Sequence, residues 1–439
     1  MQKRVIIIGG GFSGLAAGIE LSERGFAVTL LERRNHLGGR AYSFTDAKTG
    51  DTVDNGQHLF MGCYYNTIDF LKRIGCLDKL HFQERTQIDF LDAENGFDRF
   101  ECPVLPAPLH VLAGLFRMKG LSFGDKFRAL NLRRILQSKP NGNGALTVTE
   151  LLKKLHQSKR INERFWHPMV VATLNESPDV ASSKMLIKVL QDAFGAGREA
   201  SAMGISSVGL SDLYVDGASQ FITGRGGEIR TLATVNRIVI ESDKVIALEL
   251  KNGERLEADY IISAVPPSAL LQMFDEEVRE QHFKYLEKLK AAPIVSINLW
   301  FDRSIIDRKF VGLIGTQVQW LFNKDKIAAT SKNSNHLALI ISAAYGYVDW
   351  TKEQLVELAL RELHQLIPES SQANLLHSTI VKEREATISH TIESDAIRPA
   401  AQTPIANLLL AGDWTDTGLP ATIESAVLSG YTAARAIPQ

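Results

Sequence analysis

A chain of 439 residues, 45% hydrophobic and 23% charged, is long enough for about two or three cores and has an ordinary globular composition, which excludes disordered and collagen-like classes. Its formal net charge of −1 supplies no global field for nucleic acid, so an anionic partner must be met by a local patch. Cys63, Cys76 and Cys102 lack metal-ligand spacing and suggest no disulfide framework, so no metal site is read and a reducing cytoplasm is the expected compartment.

Val5 to Ile8 predict a short buried strand. Gly9, Gly11 and Gly14 follow in G-x-G-x-x-G spacing around Phe12 and Ser13, where a helix-forming run from Leu15 to Arg24 begins. In such a turn one glycine permits the sharp bend, one lets the backbone approach a pyrophosphate, and one lets the helix pack on the strand. A second apolar strand, Val28 to Leu31, ends in Glu32, roughly twenty residues on, where a carboxylate would accept both ribose hydroxyls of an adenosine. Glu32 would repel a 2′-phosphate, so unphosphorylated adenosine is expected despite Arg33 and Arg34. The next turn, ERRNHLGGRAYSF, brings Arg33, Gly38, Gly39 and Arg40. A permanently held flavin dinucleotide needs those extra backbone donors and a cation for its pyrophosphate, whereas a nicotinamide enzyme does not, and FAD is the expected cofactor. A solvated basic loop accounts for Arg34 but poorly for Gly-Gly-Arg.

The apolar run at Val5 is interrupted by these glycines, so it does not read as an export signal, and no stretch reaches the roughly eighteen apolar residues of a membrane span. Thr52 to Asn55 lead into Gly56, Gln57 and His58 and then an apolar run to Gly62, a segment that would return across the cofactor near the flavin ring. Gly56, Gln57 and His58 are candidate contacts there, and His58 is the candidate catalytic residue, against the plainer reading of a loop histidine. From Ile68 to about Ile222 the α/β alternation weakens, and helical patterns at Ile68 to Ile74, Phe127 to Leu136 and Leu146 to Leu155 predict a largely helical substrate region. Pro103 to Met118 is apolar and proline-punctuated, and Arg117, Lys119, Lys126, Arg128, Arg133, Arg134 and Lys139 accompany it with Asp125 the only nearby acid. That pattern suits a seat on anionic lipid or, equally, a cap helix with a solvated face. Pro140 to Gly144 reads as a loop.

The nucleotide region returns after Gly224. Val235 to Ile240 and Val245 to Leu250 predict a hairpin, Asn252-Gly253 another turn, and Asp259 to Val265 a buried strand stopped by Pro266 and Pro267. Successive strands without helices suggest a β-meander attached to a dinucleotide fold. Ala292 to Phe301 and His336 to Ala343 predict strands of a second domain, and Lys352 to Ile367 an amphipathic helix. Near the C-terminus, Asn407 to Leu410 predicts a strand, followed by Gly412, Asp413 and a helix from about Ala421 to Ala436. Asp413 suits the ribityl and phosphate region, and the positive helix end would stabilise an anionic reduced flavin ring.

Together GGGFSGLAAG, Glu32 with LGGR, the AVPP strand end at Ala264 to Pro267 and LAGDWTDTGLPATIESAVLSG resemble the FAD-dependent amine oxidase and phytoene desaturase superfamily. DNGQHLFMGCY at Asp54 to Tyr64, LPAPLH at Leu105 to His110 and WHPMVVATLN at Trp166 to Asn175 are similar to the hydroxysqualene dehydroxylases of bacterial hopanoid pathways. The resemblance implies an α/β two-domain flavoprotein: a Rossmann-like FAD-binding domain with β-meander from residues 1–62, 220–268 and 402–439, and a mixed α+β substrate domain with helical cap from residues 63–219 and 269–401. It carries Gly9, Gly11, Gly14, Glu32, Arg40, Val235, Gly412 and Asp413 over as FAD contacts, Val235 through its backbone to adenine, and places Thr422 and Ile423 near the flavin N1 and O2 edge. All three cysteines precede residue 103, so the FAD is expected to be non-covalent. The implied reaction reduces hydroxysqualene, a polyprenyl lipid, to squalene, with reduced flavin as hydride donor and an external reductant, at the cytoplasmic face of the membrane. Amine oxidases place a lysine where Pro293 or Ile294 stands here, which weakens an amine substrate. A carotenoid-type desaturase running the opposite way and a non-enzymatic polyprenyl-lipid carrier are the other readings.

Overall fold

The computed structural model describes residues 2–131, 133, 136, 146–328 and 334–439. Five parallel strands form the first sheet in the order Glu228–Arg230, Ala27–Leu31, Arg4–Ile8, Tyr260–Ser263, Leu408–Leu410. Such a sheet is covered on both faces, so its strands are continuous apolar runs rather than alternations. Val5 and Ile7 face a helical core, and Ile6 and Ile8 face the opposite layer. The helical layer holds Phe12–Glu23, Leu210–Thr223, Ile423–Ala436 and Tyr65–Arg73. The opposite layer is the meander Val235–Glu241, Lys244–Leu250, Arg255–Leu256. Its first turn is built on Ser242 and Asp243, both at positive φ (49° and 55°), which matches the strand twist of a tight hairpin.

The first helix begins at Phe12, earlier than the Leu15 expected from the apolar run. Phe12 is buried and stacks on Tyr214 with ring centroids 3.7 Å apart, and the Tyr214 hydroxyl lies 2.8 Å from both the Gly38 and the Ala41 carbonyl oxygens, which share its one proton. One aromatic pair thus joins the glycine helix, helix Leu210–Thr223 and the second glycine turn. Truncating Phe12 to alanine would cost about 3–5 kcal/mol. This core also takes in Phe70, Leu80, Leu210 and Leu213, and so crosses the boundaries expected at residues 63 and 219.

The second sheet has seven strands in the order Leu375–Ile388, Ala291–Phe301, His336–Ile341, Trp320–Asn323, Phe310–Leu313, Gln87–Asp92, Gly96–Glu101. All neighbours are antiparallel except Phe310–Leu313 with Gln87–Asp92. Helix Lys352–Leu366, opened by a capping box of Thr351 and Gln354, covers one face. Helices Leu109–Arg117, Phe123–Ala129, Val148–Lys154, His167–Leu174 and Ser183–Leu190 close a separate core. Helix Phe123–Ala129 starts earlier than the expected Phe127, because Ser122 and Asp125 form a capping box. Much of its expected continuation, with Arg134 and Lys139, and the loop at 140–144 lie outside the described residues. Among the described residues no helix is long and apolar enough to cross a membrane.

Candidate active site

The two glycine turns press backbone against backbone. Gly9 sits at φ +107°, and a Cβ there would stand 3.0 Å from the Ala264 carbonyl oxygen. A Cβ on Gly14 would meet the Gly9 oxygen at 1.9 Å, so the helix packs on the strand only with glycine at this position. Gly38 N–H donates to the Gly10 carbonyl at 2.9 Å, and Gly39, at φ +59°, would place a Cβ 3.0 Å from Gly11 Cα. Gly11 is the N-cap of helix Phe12–Glu23 and offers no side-chain cap, and Phe12 and Ser13 are buried in its first turn. Uncapped first-turn N–H groups beside a side-chain-free cradle suit a diphosphate. The residues present therefore fit an FAD pyrophosphate.

Glu32 is buried at the end of its strand. Oε2 accepts the Gly10 N–H and Oε1 the Arg34 N–H, each at 2.9 Å, which fixes the carboxylate and leaves each oxygen further lone-pair capacity. Leu232 N–H donates to the Arg34 carbonyl and Ala233 N–H to that of Glu32, both at 2.9 Å, so Val235 is carried beside the same strand end. The two arginines differ from expectation. Arg33 is exposed, whereas Arg34 donates to the Gly39 carbonyl at 3.0 Å and lies 5.4 Å over the Tyr42 ring. Arg34 braces the turn, and Arg33 is the solvated residue.

Arg40 pairs with Asp413 and donates to the Ala386 carbonyl at 3.0 Å, so it ties both glycine motifs to the long strand of the second sheet. Burial, the largest single influence, would lower its pKa, but Asp413 together with Glu383 and Glu385 turns the net direction upward. Gly412, at φ +142°, leaves no room for a Cβ, which would lie 2.4 Å from Trp414 Nε1, and its N–H donates to Ser429 Oγ at 2.8 Å. Thr422 caps helix Ile423–Ala436 by accepting the Ser425 N–H at 3.2 Å. Sequence reasoning missed Glu424. Its buried carboxylate accepts the main-chain N–H groups of Asn66 and Thr67 at 2.9 and 2.8 Å and both side chains at 2.7 Å. One helix N-terminus is thereby locked to another.

The loop carrying His58 is anchored from outside. Asp54 is buried and accepts Ser43 Oγ at 2.7 Å, Leu210 N–H at 3.0 Å and Lys324 Nζ at 2.7 Å. Lys324 also donates to Gln57 Oε1 at 2.7 Å. Burial would raise the Asp54 pKa, but Lys324 and the other donors turn it downward. Asn55 donates to the Arg40 carbonyl at 2.9 Å, and Gly56 has open space where a side chain would stand. His58 is half-buried, and burial lowers its pKa while Asp54 opposes the shift. The neutral imidazole is favoured, so the imidazolium expected from sequence is a minor form at neutral pH. A cavity of about 310 Å³, lined by Met61, Cys63, Tyr64, Thr173, Leu419 and Thr422 among others, adjoins the start of the final helix. Strand Ala291–Phe301 carries no lysine, and Pro293 sits at an irregularity in its pairing with Leu375–Ile388.

A family model described as flavin containing amine oxidoreductase matches residues 12–438. The chain is 31% identical over 439 residues to a hydroxysqualene dehydroxylase of Rhodopseudomonas palustris, covering 99% of this chain and 98% of that protein. It is 29% identical over 454 residues to a chloroplastic/chromoplastic 15-cis-phytoene desaturase of an Oncidium hybrid cultivar, covering 99% of this chain and 78% of that one. An oxidoreductase from Methanosarcina mazei has a similar structure, with a TM-score of 0.78 at 18% identity, covering 98% of this chain and all of the other.

Proposed function

The chain belongs to the flavin containing amine oxidoreductase family, and from that premise we propose that this FAD-dependent oxidoreductase reductively dehydroxylates hydroxysqualene to squalene. The observation that carries the choice is the end-to-end match with the R. palustris hydroxysqualene dehydroxylase, in which neither chain has a large unmatched part. The non-enzymatic lipid carrier gives way to the family's redox chemistry, and Pro293 and Ile294 leave an amine substrate without the lysine expected on that strand.

FAD would be held non-covalently, with Gly9, Gly11, Phe12, Ser13, Gly14, Gly38 and Gly39 to take the pyrophosphate, Glu32 the adenosine ribose and Val235 the adenine. Arg33 stands at the rim. Arg40, Gly412 and Asp413 would hold the ribityl and phosphate portion, Gly56 and Gln57 would flank the ring, and Thr422 and Ile423 would meet its pyrimidine edge. When bound and reduced, the dinucleotide supplies a hydride. The chain's own residues supply the rest. The imidazolium form of His58, the minor form at neutral pH, donates its proton to the substrate hydroxyl oxygen and returns to neutral imidazole, the C–O bond breaks, and the oxygen leaves as water, so that alcohol, proton and hydride become hydrocarbon and water. The apolar wall that includes Met61 and Leu419 keeps bulk water from the carbocation this creates. An external reductant restores the cofactor.

Partnership with a lipid surface is part of the proposal, at the cytoplasmic face of the membrane. Val104, Leu109, Phe123 and Phe127 are 58%, 52%, 80% and 63% exposed, and Arg117, Lys119 and Arg128 stand exposed among them. A concentrated apolar face with a basic rim suits anionic lipid. The second reading, a phytoene-type desaturase, draws on the nearly equal identity to the Oncidium desaturase. Incubating detergent-solubilised protein in parallel with hydroxysqualene plus a chemical reductant for the flavin and with phytoene plus an electron acceptor, and identifying products by mass, separates the two. Squalene from the first substrate is expected. A phytoene product two hydrogens lighter, with hydroxysqualene untouched, would replace this proposal with the desaturase.

A further inference from the structure

The short helix Ile392–Ile397 is bracketed by His390 and Arg398, and both side chains end in the main chain of the turn between Ala411 and Thr422. Arg398 is 6% exposed, and its guanidinium donates to the carbonyls of Asp413 (2.9 Å), Thr415 (2.5 Å) and Leu419 (2.7 Å), with a longer contact to Trp414 (3.4 Å). His390 is fully buried, and its ring lies between Asp395 Oδ1, 2.8 Å from Nδ1, and the Ala421 main-chain N, 2.7 Å from Nε2.

A main-chain amide can only donate, so Nε2 must accept and the ring hydrogen must sit on Nδ1, directed at Asp395. A second proton on Nε2 would point into the Ala421 N–H. The turn needs an external brace, since it passes through Gly412 at φ +142° and Gly418 at φ +73°. Ala421 immediately precedes Thr422, whose hydroxyl takes the Ser425 N–H. The N–H groups of Thr422, Ile423 and Glu424 are then the helix-start donors left for a ligand.

We propose that His390, backed by Asp395 and flanked by Arg398, is a positioning residue that presets Thr422 and Ile423 for the cofactor, and that only its neutral Nδ1–H form does so. The proposal rests on the FAD reading of that helix start. Other charged groups stand on the elements that flank His390 and Arg398. Asp413 and Asp416 come from the turn, Glu393 from the same short helix, and Glu176 through the Ser389 hydroxyl.

The test uses the full chain with ¹⁵N-labelled histidine, assigning the His390 ring by its loss in H390Q, and measures FAD dissociation against pH for wild type, H390F and H390Q. The wild-type ring should show the neutral Nδ1–H signature, and wild type should release FAD on acidification with a one-proton step. H390F should bind FAD about tenfold more weakly, the equivalent of one lost hydrogen bond, whereas H390Q, whose amide oxygen can accept the Ala421 N–H, should stay within about threefold. H390Q should also lose the one-proton step. An Nε2–H tautomer in wild type, or an unchanged step in H390Q, overturns the proposal. Should H390F fail to fold, the wild-type ring signature and H390Q decide the matter. Wild type that takes up no FAD at any pH contradicts the cofactor reading instead, while the ring signature still tests the tautomer.

Discussion

Asp54 and Lys324 stand 270 residues apart in sequence and meet at 2.7 Å, with side-chain exposures of 4% and 12%. Removing one partner of such a pair leaves a buried charge uncompensated, at a cost of about 3–5 kcal/mol. Lys324→Met should therefore lower unfolding free energy by about 3 kcal/mol in denaturant titrations, and Asp54→Asn in the same chain should recover part of it. A loss below about 0.5 kcal/mol would show the pair to be solvated. The sign with pH follows from the lowered Asp54 pKa: its contribution is present above the ordinary aspartate value and lost as pH falls through the folded one. His58 titrates the other way in catalysis. Its pKa is lowered, so the protonated donor is depleted as pH rises, and kcat/KM should fall with increasing pH from the acid side of neutrality. His58→Gln should remove that limb of the profile, and an unchanged limb would assign the proton to another group. Gly39→Ala combines a φ of +59° with a Cβ 3.0 Å from Gly11 Cα, and it should purify with little flavin absorbance. A full complement of FAD in that variant would contradict the pyrophosphate cradle.

At the scale of elements, the parts nearest the glycine motifs were legible because they obey strong local rules. Val5 to Ile8, Val28 to Leu31 and the Val235–Leu250 hairpin follow from apolar runs and turn residues, and all appear within a residue or so of expectation. Strands Gln87–Asp92, Gly96–Glu101 and Leu375–Ile388 were not legible. The last lies at a sheet edge with mostly half-buried residues on both faces, so no period of two marks it. Pro103 to Met118, with the basic residues that accompany it as far as Lys139, was read as either cap or lipid seat; in the fold Val111, Leu115, Met118, Leu121 and Ala129 pack into the helical core while Val104, Leu109, Phe123 and Phe127 are exposed. Replacing Phe123 and Phe127 by serine should reduce co-sedimentation with anionic vesicles by about tenfold or more while leaving flavin content unchanged. Equal binding by the variant would place the lipid contact elsewhere or remove it.

Across the whole molecule, the candidate site lies where chain segments far apart in sequence converge, and that explains what sequence could and could not supply. The glycines, Glu32, Arg40 and Asp413 sit in short motifs whose chemistry is local. Lys324 and Glu424 act on partners 267 to 358 residues away, and Arg398 and His390 act on main-chain groups of a turn 15 to 31 residues further on, and no spacing rule announces them. Arg40 links Asp413 to the Ala386 carbonyl and Lys324 links the second sheet to the His58 loop, so both sheets anchor the segments that carry the candidate residues. The direction of electron flow is the central claim that these contacts leave to experiment. Under anaerobic conditions the purified holoprotein is reduced, hydroxysqualene is added in detergent, and flavin absorbance and lipid mass are followed together. Reoxidation of the flavin in step with squalene formation is the predicted result. A flavin that stays reduced with hydroxysqualene, while the oxidised protein is bleached by phytoene, would contradict the account and reverse the assigned direction.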